Sequence, residues 1–252
     1  MARTAVPGRL IWRVATVDAT KDESATARTL VLDVPGWPGH LAGQHVDVKL
    51  TAEDGYSVER SYSIASAADG TRVELTVQRI ADGEVSPYLT EDLQPGDKLE
   101  LRGPIGGWFV WDPSSPAPVL LVAGGSGVVP LMAMIRTREA TGTGAAFRLV
   151  YSVRTPGDVL YATELAERQH GDNGFQLAYV YTRAVPAGWP VPPGRIGARV
   201  LAEPGWAPDR CPAVFVCGPT GFVEATADLL VSAGHDPATI KTERFGPSGG
   251  QQ

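Results

Sequence analysis

Through the first hundred residues, apolar and polar positions alternate with a period of two, and Pro-Gly or Asp-Gly turns break the alternation into short runs. The runs are RLIWRVATVDAT, ARTLVLDV, GQHVDVKLT, RSYSIASA, RVELTVQRI and DKLELRG, punctuated by VPGWPG, EDGY, AADG and QPGD. Six short strands with such turns between them predict a small antiparallel barrel or sandwich. One short helix fits VSPYLTEDL, with Ser86 as its cap and Pro87 in its first turn.

The pattern changes at WDPSSPAP, where three prolines and two serines separate the two halves of the chain. Beyond it, near-continuous apolar runs alternate with helical stretches. PVLLVAGG leads into GVVPLMAMIRTREATG, FRLVYSVR into DVLYATELAERQH, and AVFVCGP into TGFVEATADLLVSAG, while FQLAYVYTR and the closing TIKTERFG read as further strands. Apolar strands followed by helices predict a parallel sheet covered on both faces, the doubly wound α/β arrangement. The expected organisation is therefore two domains, residues 1–112 and residues 117–252.

Composition narrows the chemistry. At 252 residues, with 43% hydrophobic and 20% charged side chains, the chain has room for two modest domains. No apolar run is long enough to cross a bilayer, and MARTAVPGRLIWRVATVD lacks the apolar core of a signal peptide, so a cytoplasmic protein without membrane insertion is expected. A formal charge of −6 and the lack of a basic stripe argue against nucleic-acid binding; Arg3, Arg9 and Arg13 read as a solvated face. The two cysteines, Cys211 and Cys217, form no C-x-x-C pair, and the four histidines are scattered, so no metal centre is expected.

Three segments carry candidate chemistry. In ERSYSIAS, alternation puts Arg60, Tyr62 and Ile64 on one side and Ser61, Ser63 and Ala65 on the other. That is either an ordinary half-exposed strand or a strand lining a ligand. In PVLLVAGGSGVVPLMAMIR, a buried strand ends in glycines and a helix begins near Pro130, a turn whose free amides and helix dipole favour a diphosphate. The spacing is neither G-x-G-x-x-G nor a P-loop. In AVFVCGPTGFVEAT, Cys217, Gly218 and Pro219 fall at the carboxyl end of another parallel strand, where ligands of open α/β sheets collect.

RSYS (Arg60–Ser63), GGSGVVP (Gly124–Pro130) and CGP (Cys217–Pro219), in this order, resemble the signatures of the ferredoxin-NADP reductase family. ERFG (Glu243–Gly246) resembles that family's C-terminal end, and GEVS (Gly83–Ser86) its flavin diphosphate loop. The resemblance covers nearly the whole chain. It implies a six-stranded flavin-binding barrel followed by a nicotinamide-nucleotide-binding α/β domain.

On this resemblance, Tyr62 stacks on the isoalloxazine ring, Arg60 pairs with the flavin diphosphate and Ser63 hydrogen-bonds near the reactive ring nitrogen. Ser61 belongs to the same binding strand. Thr76, Val77 and Arg79 flank the cofactor, and Gly83, Val85 and Ser86 receive its phosphates. Gly125, Ser126, Gly127, Pro130, Gly218 and Pro219 shape the nicotinamide-nucleotide site. Ser63, Cys217 and Glu243 surround the point of hydride transfer, and Phe245 covers the flavin face unless it is simply core.

GEVSPYL resembles the FAD-binding form of the diphosphate loop, which favours FAD with FMN as the alternative. Ser152 and Arg154 stand where phosphorylated-nucleotide users of the family place a hydroxyl and a guanidinium, which favours NADPH over NADH. The expected activity is an NAD(P)H-dependent flavoprotein reductase. It would be a monomer that delivers electrons to a separate carrier, a ferredoxin serving an oxygenase. Two readings compete with this one: a free-flavin or ferric-chelate reductase, and a non-catalytic flavin-binding subunit of a larger complex.

Overall fold

The computed structural model describes residues 10–246 except residue 53. Arg3, Arg9 and most of the polar tail GPSGGQQ lie outside the described residues.

Six strands form the first sheet: β1 (Trp12–Ser24), β2 (Ala27–Asp33), β3 (His45–Thr51), β4 (Ser57–Ser63), β5 (Arg72–Gln78) and β6 (Lys98–Ile105). Their order is β4-β3-β6-β1-β2-β5, every pairing antiparallel. An antiparallel bridge between Ile64 and Leu75, with the Ala65 amide donating to the Glu74 carbonyl at 2.8 Å, links the two edges. Pleating puts alternate residues inside: Val46 and Val48 of β3, and Leu99 and Leu101 of β6, join Leu30, Leu32, Ile64, Val73 and Leu75 in one apolar core.

The short helix expected over VSPYLTEDL is a single π-helical turn, Tyr88–Asp92. Ser86 does not cap it, because its Oγ faces back and accepts the Ile80 amide at 3.0 Å. Pro87, not Ser86, occupies the cap position.

The second sheet holds β7 (Val119–Gly124), β8 (Phe147–Val153), β9 (Phe175–Tyr181), β10 (Ala213–Pro219) and β11 (Ile240–Phe245), in the order β11-β10-β7-β8-β9. All four pairings are parallel. The helices are α1 (Val128–Thr141), α2 (Ala162–Gly171), α3 (Ala198–Leu201) and α4 (Thr220–Ser232). Strand alternation divides them between two faces. Leu121 and Ala123 of β7 pack with α1 and α2, whereas Leu120 and Val122 pack with Leu201 of α3 and with Val223 and Leu230 of α4. The sheet is thus doubly wound, as its apolar strands require.

Two local differences from the sequence reading have physical causes. The helix expected from Asp158 begins at Ala162, because Thr155 and Asp158 form a reciprocal cap around a 3-10 turn and Tyr161 adopts a left-handed conformation at φ 57°. The stretch between β9 and β10 carries no element in the sequence reading. It contributes α3 and buries Leu201 and Trp206 in the core.

Residues Val128–Ile135 of α1 are all buried. The second sheet covers one side, and Ala27, Ala42 and Ala65 of the first half join the same apolar cluster. Gly43 marks how close the approach is. Its φ is +102°, and a Cβ there would stand 1.9 Å from the Phe109 carbonyl oxygen and 2.9 Å from the Met134 methyl. Gly43→Ala is expected to lower unfolding free energy by about 2–4 kcal/mol, from backbone strain plus overpacking. Urea denaturation measures it, and a change below about 0.5 kcal/mol, the range of neutral surface substitutions, would contradict this packing.

Candidate active site

The carboxyl ends of β7, β8, β10 and β11 converge on a cleft of about 370 Å³ that also takes in Gln78 at the end of β5. Both sheets therefore contribute walls. Gly125, Ser152, Arg154, Pro219 and Phe245 line this cleft together, which unites residues drawn from four separate motifs.

Close backbone contact builds the floor. A Cβ on Gly127 would lie 2.2 Å from the Cys217 carbonyl oxygen, so only glycine lets the GGSG turn touch the CGP segment. The Phe222 ring fills the space over Gly124 and Gly218, 2.7 Å from where either would carry a Cβ. Gly127 and Pro130 are buried behind the turn, and Ser126 sits within it.

Cys217 and Glu243 are register partners on β10 and β11. Burial pushes the Cys217 thiol well above its ordinary range, and the neighbouring Glu243 adds to the effect. Burial likewise raises the Glu243 carboxyl to about 7. Its Oε2 is buried without a hydrogen-bond partner among the described residues. A buried orphan oxygen of this kind marks a place that a polar ligand satisfies.

On the barrel, Arg60 is half exposed and reaches the Gly83–Ser86 turn, where Nη2 donates to Glu84 Oε2 at 3.2 Å. The Tyr56 hydroxyl meets the same carboxylate at 3.3 Å. Arg60 thus stands beside the loop that the family resemblance assigns to phosphate. Tyr62 is half-buried against the barrel core, and desolvation raises its phenol to about 12. Ser63 ends β4 opposite His45.

The remaining barrel positions commit their side chains elsewhere. Ser61 Oγ donates to Asp47 Oδ1 at 2.7 Å. Thr76 Oγ1 bonds Thr29 and Tyr161. Val77 and Val85 are in the barrel core, and Ser86 holds the Ile80 amide. Arg79 pairs with Glu91 in a separate groove beside Arg28. Thr76, Val77 and Val85 are all buried, and none of the three lines the cleft. Gly83 sits tightly in the turn, its Cβ position 3.0 Å from Ser86 Oγ.

Sequence reasoning missed Gln78, Val153, Asp158, Leu160, Thr182 and Phe222 as cleft residues. Phe222 had a legible signal, since it follows the CGP strand end in the first turn of α4. Gln78 and Leu160 enter the cleft only through tertiary packing.

A site of this kind, walled by a barrel and by the strand ends of a doubly wound sheet with a glycine cradle at the base, has the architecture of a two-domain nucleotide-binding protein. Residues 5–110 match the family model described as an oxidoreductase FAD-binding domain, and residues 121–228 match the oxidoreductase NAD-binding domain. Ferredoxin-NADP reductase B of Sorangium cellulosum is 37% identical over 195 residues, covering 75% of this chain and 78% of that protein. The glycine betaine monooxygenase reductase subunit of Chromohalobacter salexigens is 36% identical over 209 residues, covering 81% of this chain and 55% of the relative. The chain thus spans about half the length of that relative. Among solved structures, the FAD/NAD-binding domain of Vibrio cholerae nitric oxide dioxygenase superposes with a TM-score of 0.82 at 26% identity, covering 93% of this chain and 99% of that one. The chain belongs to the ferredoxin-NADP reductase-like family of FAD- and NAD(P)-binding flavoprotein oxidoreductases.

The raised Glu243 carboxyl has a consequence for stability. The folded state holds this proton up to about pH 7, whereas an unfolded glutamate releases it near 4.5. The protonated form's contribution is full below about pH 4.5 and is lost as pH rises through 7, a loss of about 2–3 kcal/mol. Glu243→Gln should flatten that part of the pH dependence. Urea unfolding of both proteins at about pH 5 and pH 8 checks it, and parallel losses in both would contradict the assignment.

Proposed function

We propose that this chain is an FAD-dependent NAD(P)H reductase that takes a hydride from the nicotinamide nucleotide and delivers electrons to a separate redox protein, a ferredoxin serving an oxygenase. One observation carries the reading: residues from both sheets meet in one cleft at the strand ends, while the partnerless Glu243 carboxylate oxygen lies on β11, two residues before the cleft-lining Phe245. The names of the relatives, oxygenase reductase subunits and a ferredoxin-NADP reductase, support a protein acceptor.

The residues fit an FAD and a nicotinamide nucleotide. A bound flavin supplies the chemistry, accepting two electrons as a hydride and releasing them one at a time. The protein's part is placement and the exclusion of water. Arg60 pairs with the diphosphate as a charge-assisted donor, Tyr62 offers a ring face and Ser63 a hydroxyl at the end of the same strand. The glycine turn before α1 admits the nucleotide's diphosphate. Cys217, neutral and buried, keeps the meeting point dry. Glu243, with its carboxyl raised to about 7, holds or yields a proton there at working pH. Phe245, partly exposed and lining the cleft, would shield a bound flavin from water.

Ser152 and Arg154 line the cleft, with Arg154 Nη2 held 3.2 Å from Asp158 Oδ1. They support NADPH as the preferred donor. A guanidinium is a good partner for the extra phosphate.

Comparison of acceptors tests the reading. The FAD-loaded chain with NADPH should reduce a ferredoxin faster than free flavin or a ferric chelate, and the reverse order would make it a small-acceptor reductase. Arg60→Ala should lose FAD during purification, with affinity falling about tenfold or more. Full retention of flavin, measured by absorbance against protein, would remove Arg60 from the site. Arg154→Ala should raise KM for NADPH about tenfold and leave NADH nearly unaffected. Equal effects on both donors would defeat the phosphate assignment.

A further inference from the structure

The polar seam between the two sheets centres on Tyr161. Its hydroxyl is 2.5 Å from Thr76 Oγ1 of β5, and Thr76 Oγ1 in turn lies 2.7 Å from Thr29 Oγ1 of β2. The Tyr161 amide donates to Glu23 Oε2 of β1 at 3.2 Å. Its ring lies 5.1 Å beneath the Arg136 guanidinium. Arg136 donates to the Ala65 carbonyl and to Glu74 Oε2 of the barrel, each at 2.9 Å, and forks onto Glu164 of α2 at 2.8 and 2.7 Å.

Tyr161 is fully buried and holds a left-handed backbone, φ 57°, that a non-glycine residue adopts only at a free-energy cost. That conformation separates the cleft-lining residues Asp158 and Leu160 from the first turn of α2. The opposite partner, β5, continues two residues past Thr76 to Gln78, which lines the same cleft. One hydroxyl pair therefore ties the nucleotide-side wall to the barrel-side wall.

We infer that the Tyr161–Thr76 hydrogen bond is a positioning contact for hydride transfer. It fixes the separation of the two walls, so that a nicotinamide nucleotide held at the strand ends meets the flavin on the barrel. This inference rests on the reductase reading above. The bond itself touches neither reactant. Its effect falls on the step that needs both walls and spares the binding that needs one, because small misplacements of reacting groups cost rate steeply.

The test uses the full FAD-loaded chain, with Tyr161→Phe and Thr76→Val as single and double variants. Tyr161→Phe keeps the ring under Arg136, and Thr76→Val removes the same bond from the other side. Each single variant should slow anaerobic flavin reduction at saturating NADPH about tenfold. Calorimetric affinity for ADP-ribose, which occupies the nucleotide wall alone, should stay within about twofold. The double variant should be little slower than either single one, since two deletions of one contact do not add.

Rates within about twofold of wild type would overturn the inference. Additive losses, or a fall in ADP-ribose affinity in step with rate, would do the same, the latter by making Tyr161 a general support of the nucleotide fold. A wild-type chain inert toward NAD(P)H would defeat the reductase reading and this inference with it. An active wild type with unaffected variants would defeat the inference alone.

Discussion

The first two turns of α1 are buried on every side, with the parallel sheet beneath them and Ala42 and Ala65 of the barrel against them. A helix packed only on its own sheet would carry a polar outer face there; VVPLMAMI has none. Burying that apolar surface holds the halves together as one body, and the glycine turn that precedes α1 is fixed with it. The cleft exists because this helix begins where the two sheets meet.

Polar ties then set the angle of the contact. Arg136 carries its charge into a largely buried place and is stable there because three acceptors, Glu164, Glu74 and the Ala65 carbonyl, satisfy it from both sides. Replacing one partner would leave a largely buried guanidinium N–H without an acceptor. Apolar contacts alone tolerate sliding, whereas directional donors and acceptors do not. The chemistry proposed for the cleft needs that precision, because its residues act by placement and contribute no strong acid or base beyond the raised carboxyl of Glu243.

Much of this was legible in the sequence. All six barrel strands and all five parallel strands were signalled by period-two alternation or by apolar runs, since burial on one face or two writes directly into the residue pattern. The glycine turn and the CGP strand end were visible because close backbone approach admits little else, as the 2.2 Å gap at Gly127 shows. What pattern could not show was direction. Ser61, Thr76 and Ser86 are polar residues in or beside the barrel motifs, yet their hydroxyls turn to Asp47, to Tyr161 and to the Ile80 amide. Side-chain orientation depends on neighbours far away in the chain, and Thr76 and Tyr161 are 85 residues apart. The Tyr161 kink was hidden for the same reason, since its left-handed backbone is held by partners on the barrel and by no local signal.

The proposed reaction requires two planar heterocycles to be brought face to face between the sheets. Anaerobic mixing of the FAD-loaded protein with NADPH or NADH tests that most directly. Rapid bleaching of the yellow absorbance in a single turnover, slowed when the transferred hydrogen of the nucleotide is deuterium, is the expected result. A flavin that stays oxidised with both nucleotides, in a protein that binds each of them, would contradict it.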